Sequence, residues 1–451
     1  MSTPVTERES PAHSRPRAQG VSPENPLDII GVGFGPSNLS LAILLEEMNA
    51  GRPDEELVTA HFFESQEQFG WHSGMLLPDT DMQISFLKDL ATPRNPRSAY
   101  SFINYIFEQG RLPDFTNLKT FNPSRREFHA YLRWAAEKVG ADVDYRSSVS
   151  AVGDHGGSYE VLVHDADGSS RAWYARNVIL GTGITPTLPD GITPSPRIFH
   201  NHRLLSNLEN VPSFDRGSFV VVGSGQSAAE VTQYLHSTFP GAEVHSVYRR
   251  FGYTPSDDTP FANQIFDAVA VDEFYYAPPE VKQELLRKHW LTNYSAVDAD
   301  LIGDLYRRWY DERVAGGRHR LHYHRVSHVA EAVDRGDHVH VSIENEGGGG
   351  VREIEADAVV YATGFTPGDP RALFDKSVNT DGAFDEAERP VINRNYRLEL
   401  PGQRTGGIYL NGNVEHSHGL TSSLLSNVSI RSQDILSDLL DSARTAAAGA
   451  N

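Results

Sequence analysis

Two glycine-rich segments of the chain have residue types and spacing that could hold a dinucleotide. Residues 31–38 read G-x-G-x-G-P-x-N after an apolar run, and residues 223–228 read G-x-G-x-x-A after another. Glycines let the backbone turn tightly and approach a pyrophosphate, whose charge is stabilised at the N-terminus of the following helix. Each segment predicts a strand, a turn and a helix that bind a dinucleotide, with an ordinary glycine turn as the alternative. The cofactor-binding residues assigned here are Gly33, Gly35, Pro36, Asn38, Gly223, Ser224, Gly225, Gln226 and Ser227.

The residues that end the second strand of each unit indicate which dinucleotide is bound. In the first unit, Glu64 follows an apolar run and supplies an acid for a ribose hydroxyl. In the second unit, the corresponding strand ends in Arg249 and Arg250. A cation there suits the 2′-phosphate of NADPH, which an acid would repel, and a solvated basic turn is the alternative. The two units together are best explained by FAD and NADPH, although Asn38 occupies the third glycine position of the first turn.

The composition excludes several classes of protein. The chain has 451 residues, with 40 lysines and arginines against 60 aspartates and glutamates, and a formal net charge of −20. That charge argues against a nucleic-acid or anionic-membrane partner, since both need a surface rich in lysine and arginine. Cysteine is absent, which excludes disulfides, thiolate metal sites and a cysteine nucleophile. The apolar runs are too short to cross a bilayer and the N-terminus is polar, so we expect a cytoplasmic protein.

The order of these patterns predicts an α/β fold with two Rossmann-like dinucleotide-binding domains, for FAD and NADPH, and a small helical substrate-binding insertion. Charged, amphipathic spacing predicts the helices of the insertion. The expected bounds are 26–212 and 366–440 for the FAD-binding domain, 213–365 for the NADPH-binding domain, 264–316 for the helical substrate-binding segment within it, 1–25 for a disordered leader and 441–451 for a flexible tail.

Seven further blocks of the sequence occur together and in order between residues 27 and 440. They are residues 69–77, 82–92, 116–118, 255–266, 292–295, 357–365 and 418–426. These blocks resemble the flavin-dependent N-hydroxylating monooxygenases, above all the L-ornithine N5-monooxygenases of siderophore biosynthesis. Three details depart from the family: Phe365 replaces the commoner tyrosine, Pro93 stands where leucine is frequent, and residues 414–417 differ from the usual pattern.

The resemblance implies a set of site residues. FAD contacts fall on Glu64, Trp71, His72, Gln83, Val149, Ser423, Leu424 and Leu425. NADP(H) contacts fall on residues 224–227, Arg249, Asn293, Tyr294 and Ser295. L-ornithine contacts fall on Lys88, Asn263, Phe266, Asn293 and Ser426. Gln83 beside the isoalloxazine and Asn293 between nicotinamide and substrate are the implied catalytic residues. From spacing alone, Lys88 could be a surface lysine, and the asparagines and Ser426 could cap helices.

The implied reaction converts L-ornithine, NADPH and O2 into N5-hydroxy-L-ornithine, NADP⁺ and water through a C4a-hydroperoxyflavin. Only the neutral side-chain amine has the lone pair that attacks, and a free alkylammonium titrates near about 10.4, so we expect activity to rise through about pH 7–9. Lys88 is expected to pair with the substrate carboxylate, while Asn263 and Asn293 hold the amino-acid head. Lysine, one methylene longer, would overshoot, which typically gives about 10–200-fold discrimination.

Other functions stay open at this point. An L-lysine N6- or diamine N-monooxygenase would share both nucleotide units, and a non-catalytic protein that binds FAD and NADPH is the second alternative. No metal is expected, because His322 and His324 would share one face of a strand with no third ligand at suitable spacing along the chain. The expected partners are L-ornithine, O2, NADPH and further copies of the chain, as a homodimer or homotetramer.

Overall fold

The computed structural model describes residues 21–449 except 212, 213, 215, 216, 294, 403 and 405, without the side chains of 210, 291, 293 and 446–449. Residues 1–20 of the predicted disordered leader therefore lie outside the described residues, whereas Ser22 and Asn25 form a short antiparallel bridge. None of the described helices is long and apolar enough to cross a membrane.

The first sheet is built around a buried inner strand. Its strands are β1 (Leu27–Val32), β2 (Ala60–Glu64), β3 (Asp142–Tyr145), β4 (Ser147–Asp154), β5 (Tyr159–Asp165), β6 (Ser170–Leu180) and, from late in the chain, β17 (Ile408–Leu410). The order is β3-β2-β1-β6-β5-β4, with β17 beside β6. The pairs among β1, β2, β3, β6 and β17 are parallel, and those of β4 and β5 are antiparallel. Residues 29–32 of β1 are all buried, as a parallel strand covered on both faces requires.

Six helices belong to the same part of the molecule. They are α1 (Pro36–Asn49), α2 (Phe102–Glu108), α3 (Leu112–Leu118), α4 (Arg125–Lys138), α10 (Glu415–His418) and α11 (Val428–Gly449). The α1 helix packs against α11 and α4. The hydroxyl oxygens of Ser101 and Ser124 cap α2 and α4 by accepting backbone N–H bonds of 3.2 Å. The α11 helix continues into the predicted tail because that segment is rich in alanine, the strongest helix former.

The second sheet is entirely parallel. Its strands are β8 (Ile198–His200), β9 (Ser218–Val222), β10 (Glu243–Tyr248), β11 (Leu321–Arg325) and β15 (Ala358–Tyr361), in the order β11-β10-β9-β15-β8. Helices α5 (Leu204–Asn210) and α6 (Gln226–Thr238) follow β8 and β9. β8 lies within the predicted first domain but pairs with β15. A strand of three residues has too little periodicity to indicate its sheet; the other domain bounds stay predictions.

Two insertions enlarge the second unit. The first lies between β10 and β11 and contains a 3-10 helix (Ala262–Phe266), α7 (Ala268–Tyr275), α8 (Pro279–Asn293) and α9 (Ala299–Ala315). The second is an antiparallel meander of β12 (Ser327–Asp334), β13 (Val339–Asn345) and β14 (Gly350–Ala356). Two sheets with helices on them and a helical insertion in the second confirm the predicted fold class.

The chain passes between the two sheets twice. β7 (Ile184–Pro186) leaves the first sheet and β16 (Phe365–Pro367) leaves the second, and the two strands pair antiparallel. The Thr187 N–H donates to the Gly364 carbonyl at 3.0 Å, and the Thr363 hydroxyl donates to the Thr187 carbonyl at 2.5 Å. Both connections therefore form one short ladder.

Candidate active site

The first glycine turn joins the end of β1 to the start of α1, with Pro36 in the first turn of the helix. Gly33 has φ +81°, and a Cβ atom there would lie 2.6 Å from the Gly181 carbonyl oxygen. Only glycine fits such a position. Gly35 has open space around it, since no atom lies within 4 Å of where its Cβ would be. The turn therefore presents bare backbone at a helix N-terminus, where an anionic group binds favourably.

Asn38 takes the place of the third glycine and closes the turn with its side chain. Its Nδ2 donates to the Gly33 carbonyl at 2.7 Å, and its Oδ1 accepts from Asn411 Nδ2 at 3.0 Å. A Cβ on Gly181 would lie 2.6 Å from Asn38 Nδ2. Asn38 therefore joins the turn to the ends of β6 and β17, which explains how the chain departs from the usual pattern without loss of the turn.

Arg431 is a supporting residue that the sequence analysis missed. Its guanidinium is buried and donates to Asn411 Oδ1 at 2.8 Å, to Ser37 Oγ at 2.9 Å and to the Ser422 carbonyl. Burial lowers the pKa of Arg431 to about 10. One arginine thus joins the glycine turn to the C-terminal segment. No sequence signal distinguishes it, since arginine on an amphipathic helix ordinarily faces solvent.

Glu64 lies where the sequence predicts an acid for a ribose. Its side chain is buried; Oε2 accepts from the Phe34 N–H at 2.7 Å, and Oε1 accepts from the Gln66 N–H at 2.8 Å. Each carboxylate oxygen can accept a second hydrogen bond. The two backbone bonds fix the carboxylate beside the first turn and leave acceptor capacity for a hydroxyl.

Trp71 and His72 lie in the loop after β2. Their rings are 4.9 Å apart, edge to face, and His72 has a left-handed backbone with φ 49°. Burial, together with the nearby charge of Arg125, lowers the pKa of His72 to about 4, so its imidazole is neutral at neutral pH. Val149 lies on β4 and is half-buried, at a register shift opposite β5. Val149 makes no polar side-chain contact, so any contribution to a bound cofactor is through its backbone or shape.

The C-terminal segment approaches the first turn from the side of β17. The Ser423 hydroxyl accepts from the Asn413 N–H at 3.1 Å, and Asn413 Nδ2 donates to the Gly183 carbonyl. Leu424 is extended, with φ −95° and ψ 156°. The half-buried Leu425 packs against the buried apolar residues around the first sheet. These contacts bring residues 423–425 to the edge of the sheet where the glycine turn lies.

Three buried polar atoms near the start of α11 lack a hydrogen-bond partner among the described residues. They are Ser426 Oγ, Asn427 Nδ2 and Ser429 Oγ. An unsatisfied buried polar group costs about 1–3 kcal/mol, so such groups normally contact a ligand or water. Their place beside the first turn fits a bound cofactor or substrate.

The second glycine turn joins β9 to α6. Gly223 has φ +143°, and a Cβ there would lie 2.4 Å from the Ala362 carbonyl and 3.2 Å from the Ala228 Cβ. Ala228 is therefore small because the turn packs directly on it. A Cβ on Gly225 would lie 3.4 Å from Ser295 Cα, so the turn lies against Ser295, two residues after the end of α8. Ser224 and Ser227 are half-buried in this turn. Tyr294 and the side chain of Asn293 lie outside the described residues.

Two arginines follow β10, and they differ in surroundings. Arg249 is largely exposed, with its Nε 3.0 Å from Glu346 Oε1. Arg250 donates to the Ser295 carbonyl at 3.0 Å. A cavity of about 480 Å³ is lined by Arg250, Leu286, Arg287 and Trp290. Guanidinium groups at a cavity beside the second turn suit a phosphate, and Arg249 is free to turn toward solvent or ligand because its partner is a surface carboxylate.

Contacts of the predicted substrate residues bring three segments of the chain together. Lys88 Nζ lies 3.7 Å from Asp267 Oδ1, and the Phe266 carbonyl accepts from Thr421 Oγ1 at 3.3 Å. Asn263 is exposed, and its Nδ2 donates to the Asp258 carbonyl at 2.9 Å. The loop of Lys88, the 262–267 segment and the 420–426 segment therefore meet at one place. Asp267 is a residue that sequence reasoning did not select, because a single acid before a helix resembles a cap.

A second network joins this place to the second turn. Asp298 Oδ1 accepts from Gln83 Nε2 at 3.1 Å, and Asp298 Oδ2 accepts from Gln226 Nε2 at 2.7 Å. Gln226 also donates to Glu230 Oε1 at 3.0 Å. Glu230 in turn accepts two bonds from Arg125, at 2.7 and 2.8 Å. The network connects α4 and the Gln83 loop of the first unit with α6 of the second.

Both sheets have a parallel inner strand followed by a glycine turn, one turn beside an acid and the other beside arginines. This arrangement defines an α/β protein with two dinucleotide-binding folds. The model of the L-lysine 6-monooxygenase/L-ornithine 5-monooxygenase family matches residues 25–367. The chain belongs to this family, and the resemblance found in the sequence is confirmed.

Individual relatives agree with this result. The chain is 39% identical over 410 residues to the L-ornithine N(5)-monooxygenase of Burkholderia cepacia, covering 88% of this chain and 90% of that protein. The ornithine N-hydroxylase of Kutzneria sp. 744, solved with reduced FAD, NADP⁺ and L-ornithine, is 40% identical, with a TM-score of 0.86 and coverage of 92% of this chain and 99% of that one. The ornithine hydroxylase of Pseudomonas aeruginosa is 32% identical, with a TM-score of 0.84 and the same coverages.

Proposed function

We propose that the protein is an L-ornithine N5-monooxygenase that uses FAD, NADPH and O2. The side-chain amine, NADPH, a proton and O2 give the hydroxylamine, NADP⁺ and water. The observation that carries the proposal is the meeting of Lys88, the 262–267 segment and the 420–426 segment between the two glycine turns. The names of the relatives from Burkholderia and Pseudomonas and the ligands of the Kutzneria structure support the same substrate.

The first turn would hold FAD, and the second would hold NADPH. Gly35 leaves room for a pyrophosphate at the start of α1, Glu64 has acceptor capacity for a ribose, and three unpartnered polar atoms lie near the start of α11. When bound, the flavin takes electrons from NADPH and activates O2. The chain would orient the two nucleotides toward each other. The hydrogen bonds of Asp298 with Gln83 and Gln226 support this role because they join the two units. In this proposal Gln83 contacts the flavin and Asn293 contacts nicotinamide and substrate.

The amino-acid head of the substrate is a zwitterion, and the pocket offers one charge of each sign. Lys88 would pair with the substrate carboxylate, and Asp267 beside it would attract the α-ammonium group. Asn263, Phe266 and Ser426 would complete the binding of the head and stem. Anchoring the head fixes how far the side-chain nitrogen reaches, which is how ornithine is distinguished from the longer lysine.

The reacting nitrogen must lose its proton before it attacks. A pocket that excludes water and keeps carboxylates away from that nitrogen favours the neutral amine. Asp267 is paired with Lys88, and Asp298 accepts hydrogen bonds from Gln83 and Gln226. In this proposal the carboxylate of Asp267 acts on the head of the substrate and not on the reacting nitrogen.

The proposal extends to the setting of the enzyme. The hydroxylamine product would enter a hydroxamate siderophore or a related natural product, and the enzyme would act in the cytoplasm as a homodimer or homotetramer. Exposed Tyr306, Tyr310 and Val314 occupy successive turns of one face of α9, which supports association between copies. Light scattering of the purified protein and of Tyr310→Lys would test the oligomer, and a monomeric parent protein would refute it.

The function is tested with L-ornithine, L-lysine and putrescine in parallel, with hydroxylamine product and NADPH consumption measured in each reaction. We expect hydroxylamine mainly from ornithine, in proportion to the NADPH consumed. Equal turnover of all three amines would refute the substrate assignment. A yellow protein that binds both nucleotides but forms no hydroxylamine would refute the enzymatic proposal as a whole.

A further inference from the structure

Four side chains outside the candidate active site converge on one face of the second sheet. Glu243 and His245 are two residues apart on β10, and His322 and His324 are two residues apart on β11, so each pair lies on one face of its strand. The strands are parallel, with His245 directly opposite His322. The rings of these two histidines are stacked at 4.5 Å with an interplanar angle of 11°.

This cluster is separate from the nucleotide sites. Glu243 is the first residue of β10 and His322 the second of β11, whereas the glycine turn and Arg249 follow the carboxyl ends of β9 and β10. Ligands of parallel α/β sheets bind at the carboxyl ends of the strands. The cluster lies toward the opposite end and takes no part in the proposed reaction.

The ligand atoms have the spacing of a tetrahedral metal site. Glu243 Oε2 lies 3.4 Å from His322 Nε2 and 3.7 Å from His245 Nε2, and the three candidate ligand atoms all lie within 4.8 Å of one another. A tetrahedral Zn²⁺ with ligands at about 2.0–2.1 Å keeps them roughly 3.4 Å apart. An ion could therefore be placed among the three with small movements of the side chains.

The neighbours of the three side chains orient them for this role. His245 Nδ1 lies 3.1 Å from His324 Nε2. A proton on that His245 nitrogen, donated to His324, leaves the lone pair of Nε2 directed at Glu243, an arrangement typical of metal-binding histidines. Arg318 binds the other oxygen, Glu243 Oε1, through two contacts of 3.1 Å. His322 Nε2 also lies 3.1 Å from the His319 carbonyl, a contact that an ion would replace.

We propose that Glu243, His245 and His322 bind one Zn²⁺ ion, that His324 orients His245, and that a water completes the tetrahedron. Two imidazole nitrogens and one carboxylate oxygen form a ligand set that zinc commonly accepts in proteins. Along the chain, His322 and His324 have no third ligand at suitable spacing, so the sequence predicts no metal. In the structure, Glu243 and His245 come from the neighbouring strand β10.

The position of the site indicates what the ion would do. β10 and β11 flank the insertion that contains α7, α8 and α9, so an ion that joins Glu243 and His245 to His322 closes the base of that insertion. Zinc that links two strands stabilises the folded state directly, because the unfolded chain has no preformed site. Bound Zn²⁺ is therefore expected to raise the thermal midpoint of the FAD-loaded protein.

The test uses chelator-treated, FAD-loaded full-length protein titrated with ZnCl2 in a calorimeter. We expect one ion per chain and an affinity that falls at least about tenfold in His322→Gln and, by the loss of an orienting partner, in His324→Gln. Exposed His164, far from the cluster in sequence, gives the control His164→Gln, which should bind like the parent. His322 is half-exposed, so its variant retains the fold more readily than one of buried His245.

A thermal scan with Zn²⁺ and with Mg²⁺ completes the experiment. Zinc should raise the midpoint of the parent and of His164→Gln but not that of His322→Gln, and magnesium should raise none of them. The proposal is overturned if the parent binds no zinc, or if His322→Gln binds it as tightly as the parent. Neither measurement depends on hydroxylation, so both results are independent of the proposed enzymatic function.

Discussion

Gln83 and Asp298 are joined across the two nucleotide-binding units by a hydrogen bond of 3.1 Å from the glutamine amide to the carboxylate. The other oxygen of Asp298 accepts from Gln226, and the Asp298 N–H donates back to Gln226 Oε1 at 2.9 Å. Asp298 therefore holds a loop of the first unit against the first turn of α6. The contact lies where two bound nucleotides would face each other.

Replacing Asp298 by alanine should slow the reduction of FAD by NADPH without loss of bound FAD. Hydrogen bonds to a charged group contribute about 1.5–3 kcal/mol each, so we expect kcat/KM for NADPH to fall roughly tenfold or more while FAD content is unchanged. Steady-state rates of NADPH oxidation give kcat/KM, and the absorbance of bound flavin gives the FAD content. Exposed Asp300→Ala, in the first turn of α9 two residues after Asp298, is the control. Equal behaviour of the two variants would contradict the role of Asp298.

Lys88→Met should weaken binding of amino-acid substrates only. The substitution keeps the length of the stem and removes the charge that would face the substrate carboxylate, so KM for ornithine should rise roughly tenfold to a hundredfold. Putrescine has no carboxylate, and its low rate should be unaffected. Exposed Lys376→Met serves as the control. If KM for ornithine stays at the parental value, Lys88 is a surface lysine and the arrangement of the pocket is wrong.

Two glycines of the first turn should respond differently to alanine. Gly35→Ala places a methyl group in open space in the protein without cofactor but on the expected path of the pyrophosphate, so stability should change by no more than about 0.5 kcal/mol while FAD affinity falls. Gly33→Ala meets a carbonyl at 2.6 Å with φ +81° and should destabilise the fold itself. Thermal midpoints without FAD separate the two, and a destabilised Gly35→Ala with normal FAD affinity would count against the assignment.

Arg249→Gln should discriminate between the two nicotinamide nucleotides. Because a 2′-phosphate is the only difference between them, loss of a cation that binds it should raise KM for NADPH roughly tenfold and leave KM for NADH unchanged. Glu346→Gln should act in the opposite direction, since it releases Arg249 from its surface partner. Exposed Arg335→Gln, in the turn between β12 and β13 at the opposite end of that hairpin from Glu346, is the control. An equal rise for both nucleotides would show that Arg249 does not contact the phosphate.

His418 should contribute to loss of stability in acid. It is buried, stacked on Tyr396 at 4.2 Å and bonded to the Arg394 carbonyl at 3.0 Å. Burial lowers the pKa of His418 to about 3 from a usual 6.5. The unfolded chain therefore takes up this proton first as the pH falls, so the stability that the neutral group provides is complete above about pH 6.5 and is lost toward pH 3.

The measurement is the free energy of urea unfolding between pH 4 and 8. Each such histidine adds a slope of about 1.4 kcal/mol per pH unit below its unfolded pKa. His418→Gln should be less stable than the parent at pH 8 and show a shallower decline in acid, whereas exposed His164→Gln should follow the parent. Parallel curves for His418→Gln and the parent would mean that His418 does not carry the effect.

The sequence predicts those features whose causes are local. The β1 and β9 strands, their turns and the helices that follow are encoded by consecutive apolar and glycine residues, and the family blocks add the substrate residues. Contacts between segments that are far apart in the chain leave no such local pattern in the sequence. Asp298 precedes α9 and would be interpreted as a helix cap, yet its side chain binds Gln83 and Gln226.

Contacts between distant segments also explain two other features, the burial of Arg431 and the asparagine in place of a glycine at residue 38. Arg431 is buried because three distant segments supply acceptors for it, and no pattern within α11 indicates that. Asn38 departs from the glycine fingerprint, and only the position of Asn411 shows why the departure is tolerated. The roles assigned to individual site residues stay predictions until the variants above are measured.

The ladder formed by β7 and β16 limits how the two halves of the molecule can move. Since both connections are hydrogen-bonded to each other, a shift of one connection would also move the other. The ladder therefore couples the position of one glycine-turn unit to that of the other where the chain crosses between them.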